Sequence, residues 1–326
     1  LPDLGLENLF RKLRASLLLS ISDVTSSPEL LNFQSALALQ CFTNEYIYNN
    51  PEEEEKILKS LDASVRKALE NNEQPSPQLI LSLAAYKPLN EYDWCNFLVI
   101  TDEIQEVFSR QVEEPQKEVD LKSCTPVLEK ITNSISSTVR AQYEENPFPR
   151  WVNLGLTLKP MLISEVIGEV KLKLHHNKIT EVEKPEILIA GCGTGQHSIG
   201  TAKRFKGSKV LAIDLSLSSL AYAKRKTDEL SIENIEYMQA DILDLGKLNK
   251  KFDIIESAGV LHHMDNPMEG WQLLTDCLKP GGLMSIGLYS ELARKNIVKI
   301  REEIRQIGIG SSNAEMRSFR DIIKKS

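Results

Sequence analysis

The sequence predicts an all-α region followed by an α/β domain built on a doubly wound, mostly parallel sheet. Residues 1 to about 135 are helical in pattern and poor in glycine. From Glu183 onward, strand-like runs alternate with helical ones, as successive βα units of a parallel sheet require. A glycine-rich turn then lies where the first strand hands over to the first helix of that alternation. A chain of 326 residues holds two domains at roughly 100–200 residues each. The expected division is 1–135 for the helical domain, 136–183 for a linker that covers the site, and 184–326 for the sheet domain.

In the helical part, Ser27-Pro28-Glu29 marks a start, because proline in a first turn loses no hydrogen bond. Leu30, Phe33, Leu37 and Cys41 follow at the three-to-four spacing of a buried stripe. Pro51 and the glutamates at 52–55 open the next helix with negative charge at the positive end of its dipole. Leu58, Leu61, Val65 and Leu69 form its apolar face. Pro75, Ser76 and Pro77 punctuate before a helix from Gln78 to about Tyr86. The pattern is one of paired antiparallel helices, without the fixed-period recurrence of a helical array.

In the sheet part, strands are expected at 186–190, 209–213, 235–240, 252–257 and 283–289, each of the first four leading into a helix. The helix after the fourth strand has Asn266 as cap, Pro267 next, and Glu269 three residues on from the cap. It is expected to bury Trp271, Leu274 and Leu278 and to stop at Lys279-Pro280-Gly281-Gly282. Beyond the fifth strand come only helices. Ser290 is placed to cap one bearing Ile297, Ile300 and Ile304, and Asn313 one bearing Met316, Phe319 and Ile323. Five strands would leave an unpaired edge, and the chain opens on Leu1, so it reads as a fragment lacking whatever completes the sheet.

Composition narrows the function. Hydrophobic residues make up 41% and charged residues 26%, the balance of a soluble globular protein, and no window approaches the roughly 18 apolar residues of a membrane span. The five cysteines (41, 95, 124, 192 and 277) are odd in number and show no metal-ligand spacing, so they read as reduced thiols in a cytoplasmic protein. Residues 1–135 carry 12 Lys and Arg against 22 Asp and Glu, leaving 27 and 24 for the remainder. An acidic first part argues against a nucleic-acid grip there. The nine cations and five acids of the last 36 residues fall on amphipathic helices as a solvated face. No metal, nucleic-acid or membrane partner is indicated, and a homodimer is compatible with the pattern.

The chemistry is concentrated in Ala190-Gly191-Cys192-Gly193-Thr194-Gly195. Glycines there let the backbone turn sharply and approach a ligand at the carboxyl edge of the sheet. Asp214, 23 residues after Gly191, ends the second strand and is followed by Leu215. A carboxylate at that place accepts the hydroxyls of a ribose. Ala240-Asp241-Ile242 ends the third strand with an acceptor for an exocyclic amine and an apolar flank for a purine, and 257–263 (Ser257, Ala258, then a run to His262 and His263) ends the fourth facing the same crevice. A dinucleotide fingerprint would need G-x-G-x-x-G with a pyrophosphate on the helix. Here Gln196 stands where the third glycine belongs and the spacing is G-x-G-x-G, which favours adenosine plus an amino acid over a nicotinamide cofactor.

Taken together, 186–195, 210–216, 239–242 and 252–263, with 279–282 beyond, resemble the successive motifs of class I S-adenosylmethionine-dependent methyltransferases, over about residues 140–295. The whole arrangement is similar to bacterial proteins that join an N-terminal tetratricopeptide-like helical region to such a Rossmann-like domain. The resemblance implies S-adenosylmethionine as cofactor and S-adenosylhomocysteine as product. It places Gly191, Gly193 and Gly195 at the methionine part, Asp214 at the ribose, and Asp241 with Ile242 at the adenine. The family usually carries an acid two residues before the first glycine; here that residue is Ile189, and Gln196, His197 or the segment near Tyr143 would replace it.

Methyl transfer is an in-line displacement at a sulfonium carbon, so the protein chiefly holds nucleophile and methyl in line in a water-poor pocket. A base is required only if the nucleophile must lose a proton. His262, His263 and Tyr143 are the candidates, although the two histidines equally suit a loop that lines the crevice. Cys192 reads as a packed small residue. Tyr143, Asn146, Arg150 and Trp151 lie in an aromatic, proline-stiffened stretch just upstream of the sheet, suited to covering cofactor or substrate or to docking a linker. Protein, small-metabolite and lipid-like acceptors all fit. A non-catalytic cofactor-binding scaffold is the alternative, and Ile189 is the feature that favours it.

Overall fold

The computed structural model describes residues 3–156, 159–310 and 312–323, the side chain of Asn313 excepted. The chain folds as two compact units, one of residues 1–116 with 296–326 and the other of residues 117–295. The units cut the chain elsewhere than the boundaries expected from sequence. The last two helices group with the first ones, and the helices on either side of residue 130 group with the sheet.

The first unit is helical: α1 (Leu4–Leu19), α2 (Pro28–Thr43), α3 (Glu52–Glu70), α4 (Pro77–Ala84), α5 (Asp102–Phe108), the start of α6 (Glu114–Cys124), and, from the end of the chain, α12 (Lys295–Ile307) and α13 (Asn313–Ile323). Ser27 caps α2 through the Leu30 N–H with Pro28 in the first turn, as its sequence requires. The buried stripe of α2 runs through Leu31, Gln34, Leu37, Ala38 and Cys41, and Phe33 is 37% exposed. The expected stripe was therefore about one residue out of phase at its start, since Leu30 and Leu31 are both apolar and periodicity alone does not choose between them. Leu37, Cys41, Val65, Leu81, Leu83, Leu89 and Val107 centre the core. Arg14 is buried inside it, 3.8 Å above the Tyr86 ring, and donates to Asn50 Oδ1 at 2.9 Å. At α13 the Ser312 hydroxyl accepts from the Glu315 N–H; the cap expected of the Asn313 side chain lies outside the described residues. Ser290 accepts from the Ala293 N–H ahead of α12.

The second unit begins with the rest of α6, then α7 (Ser134–Glu145) and α8 (Ile163–Glu169). It continues as β1 (Glu186–Ala190), α9 (Gln196–Arg204), β2 (Lys209–Asp214), α10 (Leu217–Glu229), β3 (Ile235–Gln239), β4 (Phe252–Ala258), α11 (Pro267–Asp276) and β5 (Leu278–Gly287). The strands are all parallel in the order β3-β2-β1-β4-β5. Strand order reverses between β1 and β4, the place where open α/β sheets bind ligands. Residues 187–190 are fully buried, each large side chain contributing roughly 1.5–3 kcal/mol of apolar transfer. Ile187 and Ile189 pack with α9 and α10 on one face, and Leu188 and Ala190 with α11 on the other, so the sheet is doubly wound.

Three expectations change. After β3 the chain forms a 3₁₀ stretch, Ile242–Leu248, instead of a full helix, closed by the left-handed Asn249. Lys279-Pro280-Gly281-Gly282 lies within β5 and does not precede it, because Phe252 already pairs with Leu278 and the register shifts before Ile254 meets Leu283. Leu278 is accordingly a strand residue, and Trp271 is 37% exposed while Leu274 is fully buried. On the β3 side, Gln239 exchanges backbone hydrogen bonds with Pro126 and Leu128, which gives that edge a partner. Among the described residues no helix is long and apolar enough to cross a membrane.

Candidate active site

The turn after β1 is built by glycines held in left-handed backbone. Gly191 and Gly195 have φ of +77° and +86°, where a Cβ is strained. A Cβ on Gly191 would also lie 2.2 Å from Val260 Cγ2, and one on Gly195 2.6 Å from the Ala223 Cβ. The Gly193 N–H donates to Asp214 Oδ2 at 2.8 Å, and the Ser216 N–H to Oδ1 at 3.0 Å. The carboxylate that ends β2 thus grips the glycine turn directly. Burial pushes its pKa above the usual aspartate value; the backbone N–H donors of Ser216, Gly193 and Leu215 act against that, and Glu144 adds to it.

A strap between α7 and β1 covers this turn. Trp151 Nε1 donates to the Thr194 carbonyl at 3.0 Å, and Thr194 Oγ1 donates to the Pro149 carbonyl at 2.7 Å. The Tyr222 hydroxyl donates to the Trp151 carbonyl, and its ring meets the Trp151 ring edge-on at 6.1 Å. Glu144, at the end of α7, accepts from the Leu217 and Ser218 N–H groups at 2.7 and 3.0 Å. A carboxylate from a distant segment therefore caps α10, where the helix dipole favours it. Ser216 Oγ donates to the Tyr143 carbonyl at 2.9 Å.

Strap, glycine turn and strand tips enclose a cavity of about 490 Å³. Of the residues the sequence put at the cofactor, Gly191, Cys192, Gly193, Gln196, His197, Asp214, Leu215, Asp241, Ile242 and Ala258 line it, as do Thr194, Tyr143 and His263; Gly195 does not, because it packs against Ala223 of α10. Ser257 is buried and does not line it, since successive strand residues point to opposite faces. His262 does not line it either. Its ring lies 4.0 Å from the Tyr289 ring, both ring nitrogens are buried without a partner, and burial, with His263 and Arg294 nearby, lowers its pKa. Asn146 is exposed, and Arg150 stands 4.0 Å from Glu118. Trp151 is buried and does not line the cavity, so of that quartet Tyr143 alone reaches it. The Cys192 thiol is buried and pushed up by burial and by Asp214, which leaves it an inert packing group.

Several residues were missed. Ile135 and Val139 line the cavity with Tyr143; their spacing of four is a legible helical stripe. Phe148, Pro149, Val260, Met264 and Tyr289 also line it, and only tertiary folding brings Tyr289 there from beyond β5. Glu256 was the other omission. It lies in β4, whose other acid is Asp253, and it pairs in register with Ile189.

Residues 187–282 match the family model described as "Methyltransferase domain". An uncharacterized protein of Synechococcus sp. is 30% identical over 181 residues, 53% of this chain and 41% of that protein. The ubiquinone biosynthesis O-methyltransferase of Coxiella burnetii is 33% identical over 132 residues, 40% of this chain and 53% of that enzyme. Among solved structures, a SAM-dependent methyltransferase from Geobacter sulfurreducens in complex with S-adenosyl-L-homocysteine is 19% identical, with a TM-score of 0.32, over 45% of this chain and 54% of that one. The chain spans about half the length of the curated relatives it matches. The matched stretch holds all four strand tips on which the cavity is built, and that stretch is what the chain shares with methyltransferase domains.

Proposed function

We propose that the second unit transfers a methyl group from S-adenosylmethionine to a small-molecule acceptor held in the apolar part of the same cavity, with the helical unit serving recognition of substrate or partner. The carrying observation is the Asp214 carboxylate on the Gly193 N–H at the point where strand order reverses. The cofactor is S-adenosylmethionine, and the residues fit it. Each carboxylate oxygen of Asp214 accepts one backbone N–H and keeps acceptor capacity for ribose hydroxyls. Gly191 and Gly193 leave room for close backbone approach, and Gln196 and His197 present the positive end of α9 to an amino-acid carboxylate. Asp241, whose Oδ1 accepts the Leu243 N–H, and Ile242 would flank the adenine.

When bound, S-adenosylmethionine supplies a methyl carbon on a sulfonium for in-line displacement. The chain's own part is to orient and to exclude water. Phe148 and Pro149 close the cavity over the glycine turn. The Tyr143 phenol, raised by burial and then by Tyr289 and Asp214, stays protonated at neutral pH and acts as a donor. Of the two imidazoles in the lining, His197 is bonded to Glu256 and His263 is the one that would hold the proton lost by a hydroxyl acceptor. The relatives named for O-methyl transfer in ubiquinone biosynthesis support an oxygen acceptor.

The test is calorimetric titration of the chain with S-adenosylhomocysteine, followed by mass spectrometry of methylated products among ligands retained through purification. Absence of binding to folded protein would remove the assignment. Tight cofactor binding without turnover on any acceptor would favour the scaffold reading, for which the apolar Ile189 is the supporting feature.

A further inference from the structure

The acceptor part of the cavity has a definite chemical character. One side comes from α7 and the strap, with Ile135, Val139, Tyr143 and Phe148; Met264 and Tyr289 come from beyond β4 and β5. Three aromatic rings and a thioether favour a flat ring, which gains stacking and sulfur contacts beyond its buried area. Among the described residues that line the cavity there is no Lys or Arg, and its carboxylates are Asp214 and Asp241. Arg294 does not line the cavity; its guanidinium lies 3.6 Å from the centre of the Tyr289 ring. An acceptor bearing a carboxylate or phosphate would give up its hydration, find no lysine or arginine and a His197 imidazole already bonded to Glu256, and meet two carboxylates. A cationic acceptor fares little better. Asp214 and Asp241 lie at the ends of β2 and β3, where the cofactor's ribose and adenine would engage them. About 490 Å³, against the roughly 300–1,000 Å³ that ligand sites span, must hold cofactor and acceptor together, so the acceptor is small.

We propose that the acceptor is a small, uncharged aromatic hydroxyl compound, and that the cavity selects against acidic aromatics. This rests on the methyl-transfer reading and specifies the substrate class of that site. Three matched probes test it by calorimetry on the full chain saturated with S-adenosylhomocysteine: para-cresol (neutral), para-hydroxybenzoate (anionic) and tyramine (cationic). Para-cresol is expected to bind at least about tenfold more tightly than either charged analogue, the consequence of desolvating an unpaired charge. Val139→Lys, with cofactor-product titration as the check that it is folded, is expected to gain affinity for para-hydroxybenzoate. Equal or tighter binding of the benzoate, tightest binding of tyramine, or no binding of any probe to protein that does bind S-adenosylhomocysteine would overturn the proposal. Failure to bind S-adenosylhomocysteine itself would overturn the underlying reading, and this proposal with it.

Discussion

Glu256 Oε2 accepts a hydrogen bond from His197 Nε2 at 2.9 Å, and the same oxygen accepts from Thr201 Oγ1 at 2.6 Å. Both donors stand on one face of α9, four residues apart. The in-register partner of Glu256 across the β1–β4 ladder is Ile189, the position where a carboxylate was expected and is missing. In-register neighbours on parallel strands project to the same face of a sheet. The Glu256 carboxylate therefore lies one strand over from position 189, under α9, bonded to the His197 imidazole that lines the cavity.

Glu256→Gln tests that pair. Burial pushes the Glu256 carboxyl up, but hydrogen bonds from His197 and Thr201 and the charges of His197 and Arg204 outweigh it, and the group lies below its ordinary value of 4.5. A depressed carboxyl stabilises the fold above the unfolded value and loses that contribution as pH falls through the folded one. The variant is expected to lose about 1–3 kcal/mol at neutral pH, the cost of a damaged buried charged hydrogen bond. Its stability should also fall less steeply than that of the wild type below 4.5. Urea denaturation across that range reads both effects.

Asp214→Ala is expected to weaken S-adenosylhomocysteine binding by roughly 1–3 kcal/mol, because the Gly193 and Ser216 N–H groups lose their acceptor along with the ligand. The folded pKa of Asp214 lies above 3.8, chiefly through burial. Its contribution to stability is therefore full below 3.8 and is lost as pH rises through the folded value. The ionised form is the better acceptor for hydroxyls, so wild-type affinity should rise over that same interval and the variant's should not. Isothermal titration at several pH values decides this.

Removing the strap's anchors should loosen the glycine turn from outside it. Trp151→Phe leaves the Thr194 carbonyl without its indole donor and is expected to cost about 1–3 kcal/mol. Glu144→Ala uncaps α10 at about 0.5–2 kcal/mol. Both losses are measured by chemical denaturation, and each variant should also bind S-adenosylhomocysteine more weakly.

His262 carries a depressed pKa, through burial first and then His263 and Arg294. A depressed histidine stabilises above its unfolded value of 6.5 and loses that contribution as pH falls through the folded one. His262→Phe keeps a ring against Tyr289 and removes the titration. Its stability should change less than that of the wild type as pH falls below 6.5, and denaturation midpoints at pH values on either side of 6.5 test this.

The parallel sheet, its glycine turn and the acids at its strand tips were legible in the sequence because each rests on local chemistry. Apolar runs of strand length, a Gly-x-Gly-x-Gly stretch and an Asp at a strand end have meaning without knowledge of neighbours. The phase of α2, the start of β5 and the exposure of Trp271 were less legible, because adjacent apolar residues compete for one face and tertiary packing chooses between them. Asn146, Arg150 and Trp151 were read as one functional surface with Tyr143. Chain adjacency does not fix direction, and Trp151 turned inward to hold Thr194 while Tyr143 turned to the cavity.

Residue order alone determined which fold this chain adopts and where its ligand chemistry gathers, because strand and helix periodicity and the left-handed turn at Gly191 and Gly195 are properties of short segments. Only the folded chain decided that Glu256 lies in register beside Ile189 and bonds His197, that Glu144 caps a helix more than seventy residues away, and that Tyr289 walls the cavity from beyond β5. Those relationships join residues far apart in sequence, and no local pattern encodes a contact whose partners meet only when the sheet has closed.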